Sequence, residues 1–157
     1  SDIHGIVDWQ YRIPSGGHRP VTLVFAREKT KASLKRALQK GQTVVWFKKK
    51  LIGKKDFIVP LINSSLKVKS AKYFTNTTVA HVTISNNSDA PYTLRNQSKY
   101  DFYNLTDLVM IPAHGEINID VRTIEKLRKF KLQFEVLSAL TAPQTHPVID
   151  FIIRVKQ

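Results

Sequence analysis

Cysteine is absent from all 157 residues of the chain. That excludes a disulfide framework, a thiolate zinc site and a cysteine nucleophile. Long hydrophobic runs are missing as well. The apolar tracts are Val44 to Phe47, Phe57 to Ile62 and Val148 to Val155, far short of the roughly 20 residues that a membrane-spanning helix needs. No glycine-rich phosphate loop, Ser-His-Asp arrangement or closely spaced acid pair stands out. Acidic residues are scarce: 12 Asp and Glu face 25 Lys and Arg, a formal net charge of +13.

What is present suffices for a folded domain. Hydrophobic residues make up 42% of the chain, enough to supply a core and too many for a disordered segment. The positive charge is uneven. Residues 1–60 hold 13 Lys and Arg against 4 Asp and Glu, and residues 61–157 hold 12 against 8. The excess gathers in Arg27, Lys29, Lys31, Lys35, Arg36 and Lys40, then in Lys48 to Lys50 and Lys54-Lys55. Such a field attracts nucleic acid, anionic lipid or phosphorylated substrates. It equally suits the solvated face of one helix and the loop after it.

Pro14, Gly16, Gly17 and Pro20 mark residues 6–20 as a loop. Val21 to Ala26 reads as a short buried strand, β-branched, aromatic and uncharged. Thr30 caps a predicted helix over 31–40, with Leu34, Ala37 and Leu38 on one face and Gly41 as its stop. Thr43 to Phe47 reads as a strand, and 55–62 as a short helix whose regularity Pro60 limits. Beyond Asn63-Ser64-Ser65 the pattern changes to short alternating segments divided by turns. Strands are expected from Leu66, at Val79 to Ser85, Tyr92 to Asn96, Tyr100 to Asn104, Leu108 to Ile111, Glu116 to Val121, Lys131 to Leu137 and Val148 to Lys156. Residues 123–129 are expected to form a helical turn. This spacing predicts an immunoglobulin-like antiparallel β-sandwich over 63–157, preceded by a small α/β piece over 1–62.

The chain opens with Ser1-Asp2-Ile3-His4-Gly5. In extended backbone Asp2 and His4 share a face, presenting a carboxylate and an imidazole suited to a divalent metal. With Gly17-His18-Arg19-Pro20, the strand Val21 to Ala26, the helix around Ser33 to Leu38 and the turn Gly41 to Val45, this stretch resembles the carboxyl-terminal end of a PHP-type phosphoesterase. That is the polymerase and histidinol phosphatase superfamily. The whole chain resembles the tail of PHP phosphodiesterases of Bacteroidetes, which carry a β-sandwich after the barrel.

The resemblance implies a β/α barrel in the parent protein holding two or three divalent metals that activate hydroxide against a phosphate ester. It assigns Asp2 and His4 as metal ligands there. It also implies a periplasmic or exported location, with any export signal upstream of Ser1. The family's early His-x-His motif, bridging Glu and middle His ligands have no counterpart in this sequence. The chain is therefore expected to be non-catalytic, to bind no metal tightly and to be monomeric, its β-sandwich acting as an accessory domain and its partner being the rest of the barrel.

Other candidates have simpler readings beside the functional one. His18 and Arg19 are possible phosphate contacts, or turn residues leading into the next strand. Lys48 to Lys50 lack the interleaved exposed aromatics that stack bases, so specific nucleic-acid binding is not expected. Trp46 and Phe47 are expected to face the core. Five Asn-x-Ser/Thr sequences begin at Asn63, Asn76, Asn86, Asn96 and Asn104; turn chemistry accounts for them as well as glycosylation does. Alternation puts Tyr100 and Phe102 on one face and Tyr103 on the other, so one set belongs to the core. His114-Gly115-Glu116 reads as a hairpin corner. The alternative reading is a basic β-sandwich module that binds a polyanion or a glycan.

Overall fold

The computed structural model describes residues 5–15 and 17–155. A short helix α1 (Val7–Tyr11) and a 3-10 turn precede β1 (Val21–Val24), α2 (Lys31–Gln39), β2 (Thr43–Phe47), β3 (Lys50–Gly53) and α3 (Lys55–Ser65). Strands β4 (Leu66–Tyr73), β5 (Val79–Asn86), β6 (Tyr92–Asn96), β7 (Leu108–Ile111), β8 (Glu116–Arg122), β9 (Lys129–Val136), β10 (Ala139–Leu140) and β11 (Val148–Arg154) follow. The chain is mainly β, an immunoglobulin-like sandwich behind an α/β piece, and the described residues form no closed barrel.

The sandwich packs a three-stranded sheet, β4-β5-β8, on a four-stranded sheet, β11-β9-β6-β7, with every pair antiparallel. Alternation decides which side chains enter. Ala80, Val82 and Ile84 of β5 and Ile119 and Val121 of β8 point inward, opposite Leu94, Val109, Leu132, Phe134, Val136 and Ile153. Phe134 is fully buried, with its ring 6.0 Å from Phe102 and 5.9 Å from Phe151.

The N-terminal piece is joined to this core without a linker. Helix α3 runs to Ser65 and β4 begins at Leu66. Pro60 sits inside α3, whose apolar face, Ile58 and Ile62, shares one buried cluster with Val44, Leu51 and the sandwich interior. That burial outweighs the single backbone hydrogen bond lost at proline, so the helix extends past the expected 55–62. Strands β1, β2 and β3 form an antiparallel meander. Its far edge is extended by β10, parallel to β3, pairing Leu51 with Ala139 and Ile52 with Leu140.

Helix α2 starts where expected because Thr30 Oγ1 accepts the Ser33 amide at 3.2 Å. It stops at Gly41, whose φ of +62° favours glycine. Thr30→Ala is expected to remove about 1 kcal/mol, lowering the melting temperature by roughly 2–4 °C. Thermal denaturation followed by circular dichroism checks this, and an unchanged midpoint would show that the cap carries no stability.

Several expectations need correction. Residues 6–20 are not one loop, since Val7–Tyr11 is helical and Ile13–Ser15 a 3-10 turn. Strand β1 stops at Val24 and is not buried throughout, with Val21 37% exposed. Tyr100 to Asn104 is not a strand: only Phe102 bridges, to Val121. Asn104 replaces backbone pairing with its side-chain amide, donating to Asn118 O at 3.1 Å and accepting from Asp120 N at 2.8 Å. Residues 123–129 form no helical turn, because neighbouring segments take their polar groups. Thr123 N and Oγ1 both donate to Thr78 O, and Leu127 N donates to Tyr73 Oη. Phe47 does not face the core; it is 40% exposed beneath Lys48 Nζ, while Trp46 is half-buried.

Candidate functional site

Asp2 and His4 lie outside the described residues. His18 precedes β1, and its ring packs on Trp46 of β2 with centroids 3.8 Å apart. Its Nδ1 lies 2.7 Å from Arg19 O and its Nε2 2.9 Å from Lys48 O. Carbonyl oxygens only accept, so a neutral ring donates to one of the two, and the imidazole anchors this loop against the β2–β3 turn. Arg19 is exposed. A cleft of about 720 Å³ opens beside His18, with Arg12, Lys48 and Lys49 among its lining residues. It offers cations to an anion, and its described lining includes neither a carboxylate nor an unengaged imidazole.

The other described histidines are also committed. His81 Nδ1 on β5 meets Asp120 Oδ1 on β8 at 2.6 Å, and the neighbouring rung continues it, Ser70 Oγ donating to Thr83 Oγ1, which donates to Asn118 Oδ1. His114 Nε2 contacts Asp89 at 2.7 Å, and His146 Nδ1 contacts Ala139 O at 2.7 Å. Among the described residues, no three His, Asp or Glu side chains converge as a metal site. A closed coordination sphere needs about four ligands, so the described donors do not fit a resident metal. Nor is any helix among them long and apolar enough to cross a membrane.

The Asn-x-Ser/Thr sequences divide. At Asn86 and Asn96 the same loop occurs twice. Asn86 Oδ1 accepts from Ser88 N at 3.0 Å and Ser88 Oγ at 2.8 Å, while Nδ2 donates to Ala90 O at 2.8 Å and Pro112 O at 2.9 Å. Asn96 likewise accepts from Ser98 N and Oγ and donates to Tyr100 O and Asp107 Oδ1. These amides, with that of Asn104, are structural. Asn76 holds a turn at φ +57°. Asn63 departs from the turn reading, because it lies within α3.

Two clefts missed in the sequence flank the 123–128 loop. One, of about 440 Å³, is lined by Tyr73, Phe74, Asn76, Lys126, Arg128 and Val155, among others. The second, of about 340 Å³, includes Lys99, Asp101, Arg122, Ile124 and Glu125. Their walls come from segments distant in sequence, and no local motif marks them. Tyr103 is 66% exposed, with the Arg122 guanidinium 4.8 Å over its ring, while Tyr100 and Phe102 are buried. That is the division alternation implies.

Residues 66–152 match the model of the DUF5001 family, an Ig-like domain. The chain belongs to this family of Ig-like domains. The match begins on the first residue of β4, so the DUF5001 domain is the sandwich itself. No curated protein matches the chain. Among solved structures it is similar to a two-domain protein of Bacteroides vulgatus that contains a predicted PHP-like metal-dependent phosphoesterase. The TM-score is 0.83 at 22% identity over 98% of this chain. The chain spans only 44% of that protein's length. Likeness at this identity establishes a shared fold, and it covers the α/β piece as well as the DUF5001 sandwich.

Proposed function

We propose that this chain is the non-catalytic carboxyl-terminal part of a PHP-type metal-dependent phosphoesterase, its Ig-like sandwich serving as an accessory domain. The division falls near residue 63, with residues 1–62 belonging to the phosphoesterase and 63–157 to the accessory domain. The observation that carries this reading is the fold similarity over 98% of the chain to a two-domain protein with a predicted PHP-like domain. Surface chemistry supports it. One face of the β1-β2-β3 sheet buries Val44 and Leu51, while the opposite face bears Val45, Phe47 and Ile52 at 37%, 40% and 42% exposure. Val45 and Ile52 are directly paired across β2 and β3, making the apolar strip that a further piece of barrel would cover. In the complete protein Asp2 and His4 would contribute to a site for divalent cations, and His18 and Arg19 would lie close to the phosphate ester. The cations would supply hydroxide and neutralise phosphoryl charge.

The test is hydrolysis of bis-p-nitrophenyl phosphate with added Mn2+. The 157-residue chain is expected to show none above buffer. A longer chain including the residues encoded ahead of Ser1 is expected to show metal-dependent turnover that EDTA abolishes. Turnover by the short chain, or none by the long one, overturns the proposal.

A further inference from the structure

The sandwich has a second end, away from the α/β piece. Strand β4 leaves α3 at Leu66 and reaches Tyr73 seven residues later, a span of about 23 Å at 3.3 Å per residue. The α/β piece sits at the Leu66 end, where β10 joins β3. At the other end meet the 74–78 turn, the 123–128 loop and Val155, whose amide donates to Arg128 O at 3.0 Å. The 440 Å³ cleft lies there, within the roughly 300–1,000 Å³ typical of small-molecule sites.

The cleft is built and held before any ligand arrives. Tyr73 Oη accepts from Leu127 N at 2.7 Å and donates to Leu127 O at 3.2 Å. Thr123 Oγ1 donates to Thr78 O at 2.6 Å. These bonds tie the end of β4 and the 74–78 turn to the 123–128 loop, so a ligand does not have to order them. Phe74, 41% exposed, offers a flat apolar surface. Lys126 and Arg128 supply two cations, and neither enters an ion pair among the described residues. Among the described residues no acid lines this cleft.

We propose that this cleft is a binding site for an acidic sugar, its ring lying on Phe74 and its carboxylate held by Lys126 and Arg128. Arginine grips a carboxylate with two parallel hydrogen bonds, and lysine adds a point charge. The neighbouring cleft limits the size of the anion. There Lys99 and Arg122 are balanced by Asp101 and Glu125, so the described lining of the two clefts forms no continuous cationic track for a nucleic-acid strand. The inference is independent of the phosphoesterase reading, because it concerns the opposite end of the sandwich and stands whether or not a barrel precedes it.

Digalacturonic acid titrated into the labelled chain, followed by amide chemical shifts, tests the site. Saturable shifts are expected at residues 74–76 and 126–128, with neutral lactose binding at least tenfold more weakly. The exposed-residue variants Lys126→Ala/Arg128→Ala and Phe74→Ala are each expected to weaken binding at least tenfold while amide shifts elsewhere stay unchanged. Four results overturn the proposal: no saturable shift, equal response to lactose, undiminished binding by the double variant, or a response to oligothymidylate in place of the sugar acid.

Discussion

Replacing Phe134 with alanine is expected to remove about 4 kcal/mol of stability, the usual cost of emptying a fully buried aromatic site. Phe134 is 0% exposed and lies between the rings of Phe102 and Phe151. It also occupies the middle of β9, flanked by β11 on one side and β6 on the other, so the backbone has little freedom to close the cavity. For a chain of this size the loss corresponds to a fall of roughly 8–16 °C in melting temperature. Phe134→Leu, which refills most of the volume, is expected to recover more than half of it. Both tryptophans, Trp9 and Trp46, lie ahead of residue 63. Val44, Leu51 and Ile58 share one buried cluster with Phe134, so tryptophan fluorescence and far-ultraviolet circular dichroism are expected to report the same lowered urea midpoint. Separate midpoints, or a loss below about 2 kcal/mol, would show that the two pieces do not share a core.

Asn86→Ala is the second large effect. Asn86 is 2% exposed, and its side chain satisfies two carbonyl oxygens, one amide and one hydroxyl. Leaving buried partners unpaired costs about 1–3 kcal/mol each where water cannot enter, so a total near 3 kcal/mol is expected after partial relaxation. Asn86→Asp keeps the acceptor but sets a carboxylate against Ala90 O and Pro112 O, and is expected to lose at least as much. Asn96 makes the same loop with a half-buried side chain and an exposed partner, Asp107. Asn96→Ala is therefore expected to cost less than half as much. Chemical denaturation of the three variants decides the matter, and equal losses at 86 and 96 would remove burial as the cause.

The sandwich was legible where burial follows a strict period of two. Val79 to Ser85 alternates in sequence, and β5 places Ala80, Val82 and Ile84 inside with His81 and Ser85 turned out. Helix α2 was legible from its cap and its glycine stop. Strand β3 was hidden because Lys48 to Lys50 read as a charged run, although Leu51 is a core residue. Strand β10 is two residues long and takes its order from a partner far earlier in the chain. Tyr100 to Asn104 and 123–129 misled because side chains, Asn104 and Tyr73, perform the bonding that backbone periodicity would otherwise indicate. The distal cleft shares that origin: Phe74, Lys126 and Val155 meet only after the sheets are stacked, and no local spacing encodes their meeting.

The parallel pairing of β3 with β10 also bears on how the chain is made. Leu51 leaves the ribosome ahead of Ala139, its partner, by roughly 90 residues. At bacterial and eukaryotic synthesis rates that interval lasts roughly 4–18 s. Throughout it, the β1-β2-β3 meander presents an open edge at β3 to the surrounding solution. Completion of the sheet therefore waits on the synthesis of β10, and until then the β3 edge is open to wrong pairing.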